Sequence, residues 1–459
     1  MAELAPWHIH ITAALVHPAE PAVWVPDAAG PALRFELDSP VWFPDVAPVL
    51  QAVQERWRLD AVVLRCLAWQ SDPDARQQWI SYLLQPHPAV LPHHGRWLPI
   101  RDLAPADLPD DPHRELLETA LRELDAPPPL ARRPWAERGW FAEAETWAAT
   151  ALHAAGAPPS QPPEQVRTWG LSTVWRYETP TGAYYFKAAA HRDTSGTAAT
   201  ADRSFLFANE ASLLAGLAER FPGHVPNPVV TDPQRGWMLL PDAGPALATS
   251  DDLGAWEAAL RAHARHQRAY AGKTDELLRI GCLDRRLSRL AAQLDDLATD
   301  DAALACLDPA SRNRLHAAIP ALRALLDEAA NLDLPDTLVH GDFHAGNIGL
   351  RDGLAVYFDW TDACVAPPFL DLVTFLDESD VLDAAPGSRE RLRAAYLAEW
   401  QGVATAETLA RSAALAEPIG MVHQAISYQH MLPGLEDPTR SAMGAGVTYW
   451  VGRLLDWLA

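Results

Sequence analysis

Short apolar runs, separated by proline, aspartate and glycine, fill the first 130 residues of the chain. Runs of this kind predict strands at residues 7–16, 22–25, 33–37, 61–67 and 97–100. Apolar residues at helical spacing predict helices at 46–57 and 112–124. Strands and helices in this order predict an N-terminal α/β domain over residues 1–130.

The rest of the chain changes character twice. Two proline-rich stretches bracket a helical pattern and predict a stiff linker over residues 131–164. Residues 165–245 are rich in predicted strands, and residues 246–459 carry mainly helical patterns. The predicted elements of the strand-rich block are strands at 166–177, 183–188, 229–230 and 237–240 and a helix at 204–220. A Thr-Pro-Thr-Gly turn at 179–182 predicts a hairpin, and the chain as a whole is expected to be α+β.

The charge balance restricts the class of partner. The 459 residues contain 37 Lys plus Arg and 60 Asp plus Glu, a net charge of −23. This field repels phosphate backbones and anionic lipids, so neither nucleic acid nor a membrane surface is expected as a partner. We see no signal peptide and no apolar stretch of membrane-spanning length. Four scattered cysteines without paired spacing favour free thiols and a cytoplasmic location.

The segment with the clearest chemistry is residues 338–350, LVHGDFHAGNIGL. Asn347 follows Asp342 by five residues, and Asp359 comes twelve residues later in an apolar strand. Two short predicted strands between them are joined by Arg-Asp-Gly at 351–353, and Asp-Gly is a tight-turn signal. The hairpin is therefore expected to bring Asp359 back toward Asn347.

These three side chains suggest a reaction. Asn347 and Asp359 supply the oxygen ligands that Mg²⁺ prefers, and Asp342 is left to orient a hydroxyl and accept its proton. That division of labour is what phosphoryl transfer from a nucleoside triphosphate needs. The alternative is a polar loop with incidental acids. Asp and Asn at this spacing are common by chance, but the whole string with its hairpin is much more specific.

The same residues resemble the signature of the aminoglycoside phosphotransferase and choline kinase-like superfamily, relatives of the protein kinases. The catalytic-loop pattern HGDxxxxN matches His340, Gly341, Asp342 and Asn347, and the metal-binding Asp of the family matches Asp359. The resemblance implies a bilobal protein kinase-like fold. Its strand-rich N-lobe would span 165–245 and its helical C-lobe 246–459. It also implies ATP and Mg²⁺ as cofactors.

The resemblance implies two further charged residues in the N-lobe. A strand lysine should bind the α/β-phosphates and pair with a helix glutamate. Lys187 ends a predicted strand, where an unpaired cation would be costly. Glu210 lies on the predicted helix at a suitable distance. The only other lysine, Lys273, lies in a polar loop.

Other nucleotide contacts are also implied. Ser172 and Thr173 would donate to phosphate oxygens, although their loop has one glycine where protein kinases have three. The strand at 237–240 leaves into a Pro/Gly loop, which resembles the hinge that binds adenine. Met238 would then be the gatekeeper, and Leu240 and Asp242 would flank the base. The alternative is a plain edge strand and turn.

Four residues are candidates for the acceptor side. His344 either orders the catalytic loop through hydrogen bonds or acts as a general acid. Asp362 would bind substrate or a water. His423 and Tyr428 lie on a predicted C-lobe helix of a kind that lines the acceptor pocket in the family, but the same stripe fits a buried core face.

The N-terminal domain faintly resembles a degenerate Nudix fold. Aligned on Leu59, its four charged-box positions are Gln51, Ala52, Glu55 and Arg56, so three ligand or support positions are lost. We therefore expect no hydrolase there. The domain would be a cap or a dimerisation surface, and the oligomeric state is left open.

The sequence thus predicts an ATP-dependent kinase that phosphorylates a hydroxyl of a small metabolite. An amino sugar, aminoglycoside or amino alcohol suits the acidic chain better than a sugar acid. Two alternatives stay open, a protein kinase and a pseudokinase that binds nucleotide for regulation. The absence of a glycine triplet and of an Ala-Pro-Glu string argues against the protein kinase. The sequence does not distinguish ATP from GTP.

Overall fold

The computed structural model describes residues 7–27, 30–87, 90–108, 112–190, 209–377 and 379–459. The chain divides into two compact units. The first contains Met1–Ala190 and Gly434–Ser441, and the second contains His191–Pro433 and Ala442–Ala459. Among the described residues, no helix is long and apolar enough to cross a membrane.

The first unit holds the N-terminal block, the predicted linker and three strands of the predicted N-lobe. Its strands are β1 (His8–Leu15), β2 (Ala22–Val25), β3 (Leu33–Leu37), β4 (Ala61–Asp72), β5 (Gln77–Pro86), β6 (Arg96–Pro99), β7 (Glu164–Thr168), β8 (Ser172–Thr179) and β9 (Gly182–Ala189). Its helices are α1 (Ala47–Trp57), α2 (Arg114–Arg122) and α3 (Trp140–Ala154). The predicted strands and helices of residues 1–130 are confirmed, most of them to within about two residues at each end.

One central strand of the N-terminal sheet was not predicted. The sheet has the order β3-β1-β5-β4, and β5 runs parallel to β1 and antiparallel to β4. Burial of almost every residue along β5 hides the alternation that marks a half-exposed strand. Helix α2 covers this sheet through Leu117 and Leu121, which pack with Leu64 and Leu83.

Strands β7, β8 and β9 form an antiparallel meander, with the predicted hairpin between Thr179 and Gly182 confirmed. The single strand predicted at 166–177 is wrong in one respect, because a turn at residues 169–171 divides it into β7 and β8. The edge strand β7 is attached to the N-terminal block: the amide of Gln165 accepts from Val63 N at 2.7 Å and donates to Val63 O at 2.9 Å. Val46 N also donates to Val166 O at 3.1 Å and Thr168 N to Pro44 O at 2.9 Å, so backbone groups on this edge of β7 are paired.

The second unit is mainly helical. Its helices are α4 (Glu210–Arg220), α5 (Leu253–Tyr270), α6 (Thr274–Ile280), α7 (Leu287–Thr299), α8 (Asp301–Ala305), α9 (Pro309–Asn331), α10 (Leu372–Phe375), α11 (Asp380–Asp383), α12 (Ser388–Ala398), α13 (Ala406–Met431) and α14 (Thr439–Trp457), whose first turn belongs to the first unit. Its strands are β10 (Val230–Asp232), β11 (Trp237–Pro241), β12 (Leu283–Asp284), β13 (Thr337–Val339), β14 (Ile348–Arg351), β15 (Leu354–Tyr357) and β16 (Cys364–Ala366). Residues 204–208 of the predicted helix at 204–220 lie outside the described residues. The α+β fold class is confirmed.

Candidate active site

The loop between β13 and β14 carries the predicted catalytic residue. The side chain of Asp342 is 42% exposed, whereas Asn347 is buried. Nδ2 of Asn347 donates to the Asp342 carboxylate at 3.1 Å and to the Asp342 carbonyl at 3.0 Å. One amide thus orients the carboxylate and closes the loop across five residues.

His344 lies beside the same carboxylate. Its Nδ1 accepts the Gly346 N–H at 3.0 Å, so the ring proton is on Nε2, which lies 3.6 Å from the Asp342 carboxylate. Burial alone would raise the pKa of Asp342, but the interaction with the neighbouring His344 ring lowers it below its usual value. A carboxylate held ionised in this way is able to accept a hydrogen bond from a hydroxyl.

The buried side chain of Asp371 holds the backbone that precedes Asp342. The carboxylate of Asp371 accepts the backbone N–H groups of His340 and Gly341 at 2.9 and 3.0 Å. It also accepts from His263 at 2.7 Å and from Gln267 at 3.1 Å, both on α5. Gly341 has φ +87°, and an added Cβ would lie 2.4 Å from the Asp362 carbonyl. The backbone just before Asp342 therefore has little room to move.

The predicted hairpin forms and returns the chain to Asn347. Ile348 pairs with Tyr357, and Phe358 N donates to Asn347 O at 3.1 Å. Asp359 follows directly at φ +61°. Asn347 thus bonds Asp342 through its side chain and Phe358, the residue before Asp359, through its backbone carbonyl. The three residues predicted to share a site therefore come together.

The segment after Asp359 adds one carboxyl group and a hydroxyl, and α4 adds a second carboxyl group. Thr361 donates to Asp359 at 3.1 Å and to Asp362 at 3.0 Å. Burial, and then the charge of Asp342, raises the pKa of Asp362. Glu210 on α4 is also buried here, and its Oε1 accepts the Trp360 N–H at 3.1 Å. The predicted helix glutamate is therefore bonded to the residue that follows the predicted metal ligand.

The predicted hinge is attached to this hairpin. Asp242 follows β11, and its carbonyl accepts from Arg351 at 2.7 Å. An added Cβ at Gly244 would lie 2.3 Å from the Leu350 carbonyl, and one at Gly349 would lie 2.1 Å from the Ala243 carbonyl. Two glycines thus let the segment after β11 lie directly on β14. Met238 and Leu240 are buried on β11.

The side-chain oxygens of Asn347 and Asp359 suit a metal ion that also binds the phosphates of a nucleotide. Because Nδ2 of Asn347 donates to Asp342, that bond leaves the Asn347 amide oxygen available as a ligand. Asp359 lies one residue beyond the backbone bond between Phe358 and Asn347. Among the described residues, no group of three or more His, Cys, Asp or Glu side chains is arranged to hold a metal. Two protein oxygens suit Mg²⁺, which usually keeps waters and substrate phosphates in its shell.

The two helix candidates for the acceptor side lie in different surroundings. Tyr428 is half-buried, and burial, together with the charges of Asp342 and Asp362, raises its pKa. His423 is 2% exposed, and its Nε2 lies 3.6 Å from the Cys364 sulfur. The surroundings of His423 fit a packed core, and the role of Tyr428 in an acceptor pocket stays a prediction.

The remaining predicted nucleotide residues lie in the first unit. Lys187 is 8% exposed on β9, opposite Val174. Ser172 accepts a hydrogen bond from the Trp169 ring at 3.1 Å, and Thr173 donates to the Arg167 carbonyl at 3.2 Å. Both hydroxyls are buried and engaged, and their role as phosphate donors stays a prediction.

Sequence reasoning missed several residues around the loop. His263 and Gln267 stand four residues apart on α5, and this polar pair on one face of a buried helix was an available signal. Thr361, between two acids, was another. Gln424 stands next to His423 on the predicted C-lobe helix, but its bond to the Gly341 carbonyl was not predicted.

The chain is similar to known phosphotransferases. The model of a family described as the phosphotransferase enzyme family (APH) matches residues 164–411. A search of curated proteins finds no match. Among solved structures, a macrolide 2′-phosphotransferase type I is 17% identical, with 66% of this chain and 96% of that chain covered, at a TM-score of 0.45.

Two further solved structures are similar. A choline/ethanolamine kinase family protein from Mesorhizobium loti is 17% identical, covers 69% of this chain and 94% of its own, and has a TM-score of 0.46. A spectinomycin phosphotransferase in complex with ADP and spectinomycin is 11% identical, covers 68% and 97%, and has a TM-score of 0.42. The family match spans more than half of the 459 residues. The chain therefore belongs to the phosphotransferase enzyme family and is a phosphotransferase.

Proposed function

We propose that the protein transfers the γ-phosphoryl group of ATP to a hydroxyl of a small metabolite, with Mg²⁺ as the metal. The observation that carries this proposal is the convergence of Asp342, Asn347 and Asp359. The amide of Asn347 is bonded to the Asp342 carboxylate and stands at the base of the hairpin that ends at Asp359.

Asp342 is the proposed catalytic base. Its carboxylate is partly exposed, oriented by Asn347 and kept ionised by His344, so it is able to accept the hydrogen bond of an acceptor hydroxyl and then its proton. Asn347 and Asp359 are the proposed metal ligands. When bound, Mg²⁺ neutralises charge that develops on the phosphates. Most of the rate enhancement is then positioning plus charge stabilisation.

On the nucleotide side, Lys187 is the proposed cation for the α/β-phosphates. Met238, Leu240 and Asp242 are the proposed adenine-binding residues, and the bond from Arg351 to the Asp242 carbonyl supports a fixed spacing between hinge and hairpin. Glu210 is the proposed partner of Lys187, and its contact with Trp360 supports a second role in holding the Asp359 segment.

The acceptor is proposed to be a hydroxylated amine or amino sugar. Asp362 packs against Gly341, the residue before Asp342, so two carboxyl groups lie in the same part of the loop. Burial and the charges of these two groups raise the pKa of Tyr428. Such a surface favours an acceptor that carries a positive charge and an apolar face.

A screen for release of the nucleoside diphosphate, ADP or GDP, tests the proposal. Hydroxylated amines, amino sugars and neutral sugars are supplied with Mg²⁺ and ATP or GTP. The parent is compared with Asp342→Asn and with a matched control, Asp352→Asn, whose exposed side chain lies in the β14–β15 turn. We expect Asp342→Asn to lose about 10²–10⁴-fold in kcat, the usual contribution of a general base, and the control to keep parent activity. Equal turnover by Asp342→Asn and the parent would remove Asp342 from the mechanism.

A further inference from the structure

The turn between β7 and β8, residues 169–171, is held on both sides by side chains from outside the sheet. Trp135 Nε1 donates to the Trp169 carbonyl at 2.8 Å, and Arg133 Nε donates to the Gly170 carbonyl at 2.8 Å. The Gly170 N–H in turn donates to the Thr439 hydroxyl at 3.1 Å. We call Arg133, Trp135 and Thr439 the turn brace. It comes from the predicted linker and from the segment Gly434–Ser441 of the same unit.

An ion-pair cluster ties the two halves of the turn brace together. Arg132 is 7% exposed at its side chain and makes two bonds to the Glu436 carboxylate, at 2.8 and 3.2 Å. It also donates to Glu123, just after α2, at 2.8 Å. Glu436 precedes Thr439 by three residues. Separating a largely buried guanidinium from several bonded carboxylates costs free energy. This cluster therefore holds the segment Gly434–Ser441 against the linker.

The turn itself is short and closely packed. An added Cβ at Gly170 would lie 3.0 Å from Leu435 and 3.2 Å from the Thr439 side chain. Protein-kinase phosphate loops, by contrast, carry three glycines, which leave the backbone free. A turn whose central peptide groups are already bonded loses little conformational entropy when a ligand binds beside it.

We propose that the turn brace presets the β7–β8 turn for the phosphates of the nucleotide, so that Thr439 and Arg133 are positioning residues for nucleotide binding. The proposal rests on the proposed function and on the prediction, implied by the family resemblance, that this turn is the loop over the phosphates. It also gives the linker and the N-terminal block a role, since Glu123 and Arg132 anchor the brace. Removal of one brace contact should therefore weaken nucleotide binding and leave the chemical step unchanged.

Three substitutions test the brace. Thr439→Val keeps the shape of the side chain and removes the hydroxyl, Thr439→Ser keeps the hydroxyl, and Arg133→Met keeps an apolar stem without the guanidinium. Thr146→Val is the matched control, because the Thr146 hydroxyl bonds only within α3, to the Ala142 carbonyl. KM for ATP, KM for acceptor and kcat are measured, with the ATP dissociation constant from calorimetry and folding checked by circular dichroism.

We expect Thr439→Val to raise the KM and dissociation constant for ATP about fivefold, as for the loss of one neutral hydrogen bond. Arg133→Met should raise both about tenfold, because the guanidinium that it removes is charged. kcat and the acceptor KM should stay within about twofold, and Thr439→Ser should bind ATP like the parent. If the parent is active and both variants bind ATP as tightly as the parent does, the brace proposal is overturned and the proposed function stands. If kcat falls and the acceptor KM rises as much as the KM for ATP does, the role of the two residues is a general structural one, and the brace proposal is also overturned. A parent that binds no ATP would overturn the proposed function and the brace with it.

Discussion

The anchoring of the catalytic loop by Asp371 leads to a quantitative prediction for Asp371→Asn. The substitution keeps the shape of the side chain but replaces one carboxylate oxygen with an NH₂ group. Oδ2 accepts from His340, His263 and Gln267, and Oδ1 accepts from Gly341 alone. The oxygen of the asparagine is therefore expected to take the Oδ2 position. The new NH₂ group would then face the Gly341 N–H, which precedes Asp342.

The magnitude follows from that single exchange. A hydrogen bond to a charged group contributes about 1.5–3 kcal/mol, and the Gly341 N–H loses it. If the loss appears in the transition state, where Asp342 must be in place, kcat falls roughly 10- to 150-fold. Since the proposed nucleotide contacts do not involve Asp371, KM for ATP should change less than about threefold.

Steady-state ADP release at pH 7, with saturating ATP and an acceptor from the screen, measures this effect. Burial alone would raise the pKa of Asp371, but the hydrogen bond and charge of His263 lower it below its usual value, so the anchor is ionised at pH 7. The stability that it adds is present at neutral pH and is lost only as the pH falls below about 3.9. Asp352→Asn is again the control. A kcat within twofold of the parent, in a variant shown by circular dichroism to be folded, would refute the anchoring argument.

Three other changes have expected outcomes. Burial, and then the charge of Arg285, lowers the pKa of His423 to about 3, so the unfolded chain binds a proton that the folded chain does not, and stability should fall as the pH drops from about 6.5 toward 3. The loss of unfolding free energy from pH 8 to pH 5 in urea titrations should be about 2 kcal/mol smaller in His423→Gln than in the parent, and equal losses would contradict the assignment. In Gly446→Ala the new Cβ would lie 2.2 Å from the Tyr428 ring. This overpacking should lower the free energy of unfolding by about 1–3 kcal/mol in thermal melts and raise the acceptor KM but not the ATP KM. Unchanged acceptor kinetics would place Tyr428 outside the acceptor pocket. EDTA should reduce phosphoryl transfer to background and Mg²⁺ should restore it, and activity that persists in EDTA would exclude the proposed metal ligands.

The local chemistry of the site could be predicted from the sequence because it depends on neighbours in the chain. Asp352 and Gly353 both have positive φ, as the Asp-Gly turn signal predicts, and the hairpin that they close brings Asp359 back to Asn347. The contact between Asn347 and Asp342 spans five residues. Turn preferences and short loops act over such distances, so one stretch of 20 residues determines this part of the site.

Tertiary structure alone decided what supports the site. His263 and Gln267 reach Asp371 across more than 100 residues, and Thr439 reaches Gly170 across 269. The predicted linker is no free spacer, because its side chains bond the β7–β8 turn. Hydrophobic periodicity shows which face of an element is buried, but not which distant element covers it. Partners of this kind are selected by the packing of the whole chain, so their identity appears only once the chain has folded.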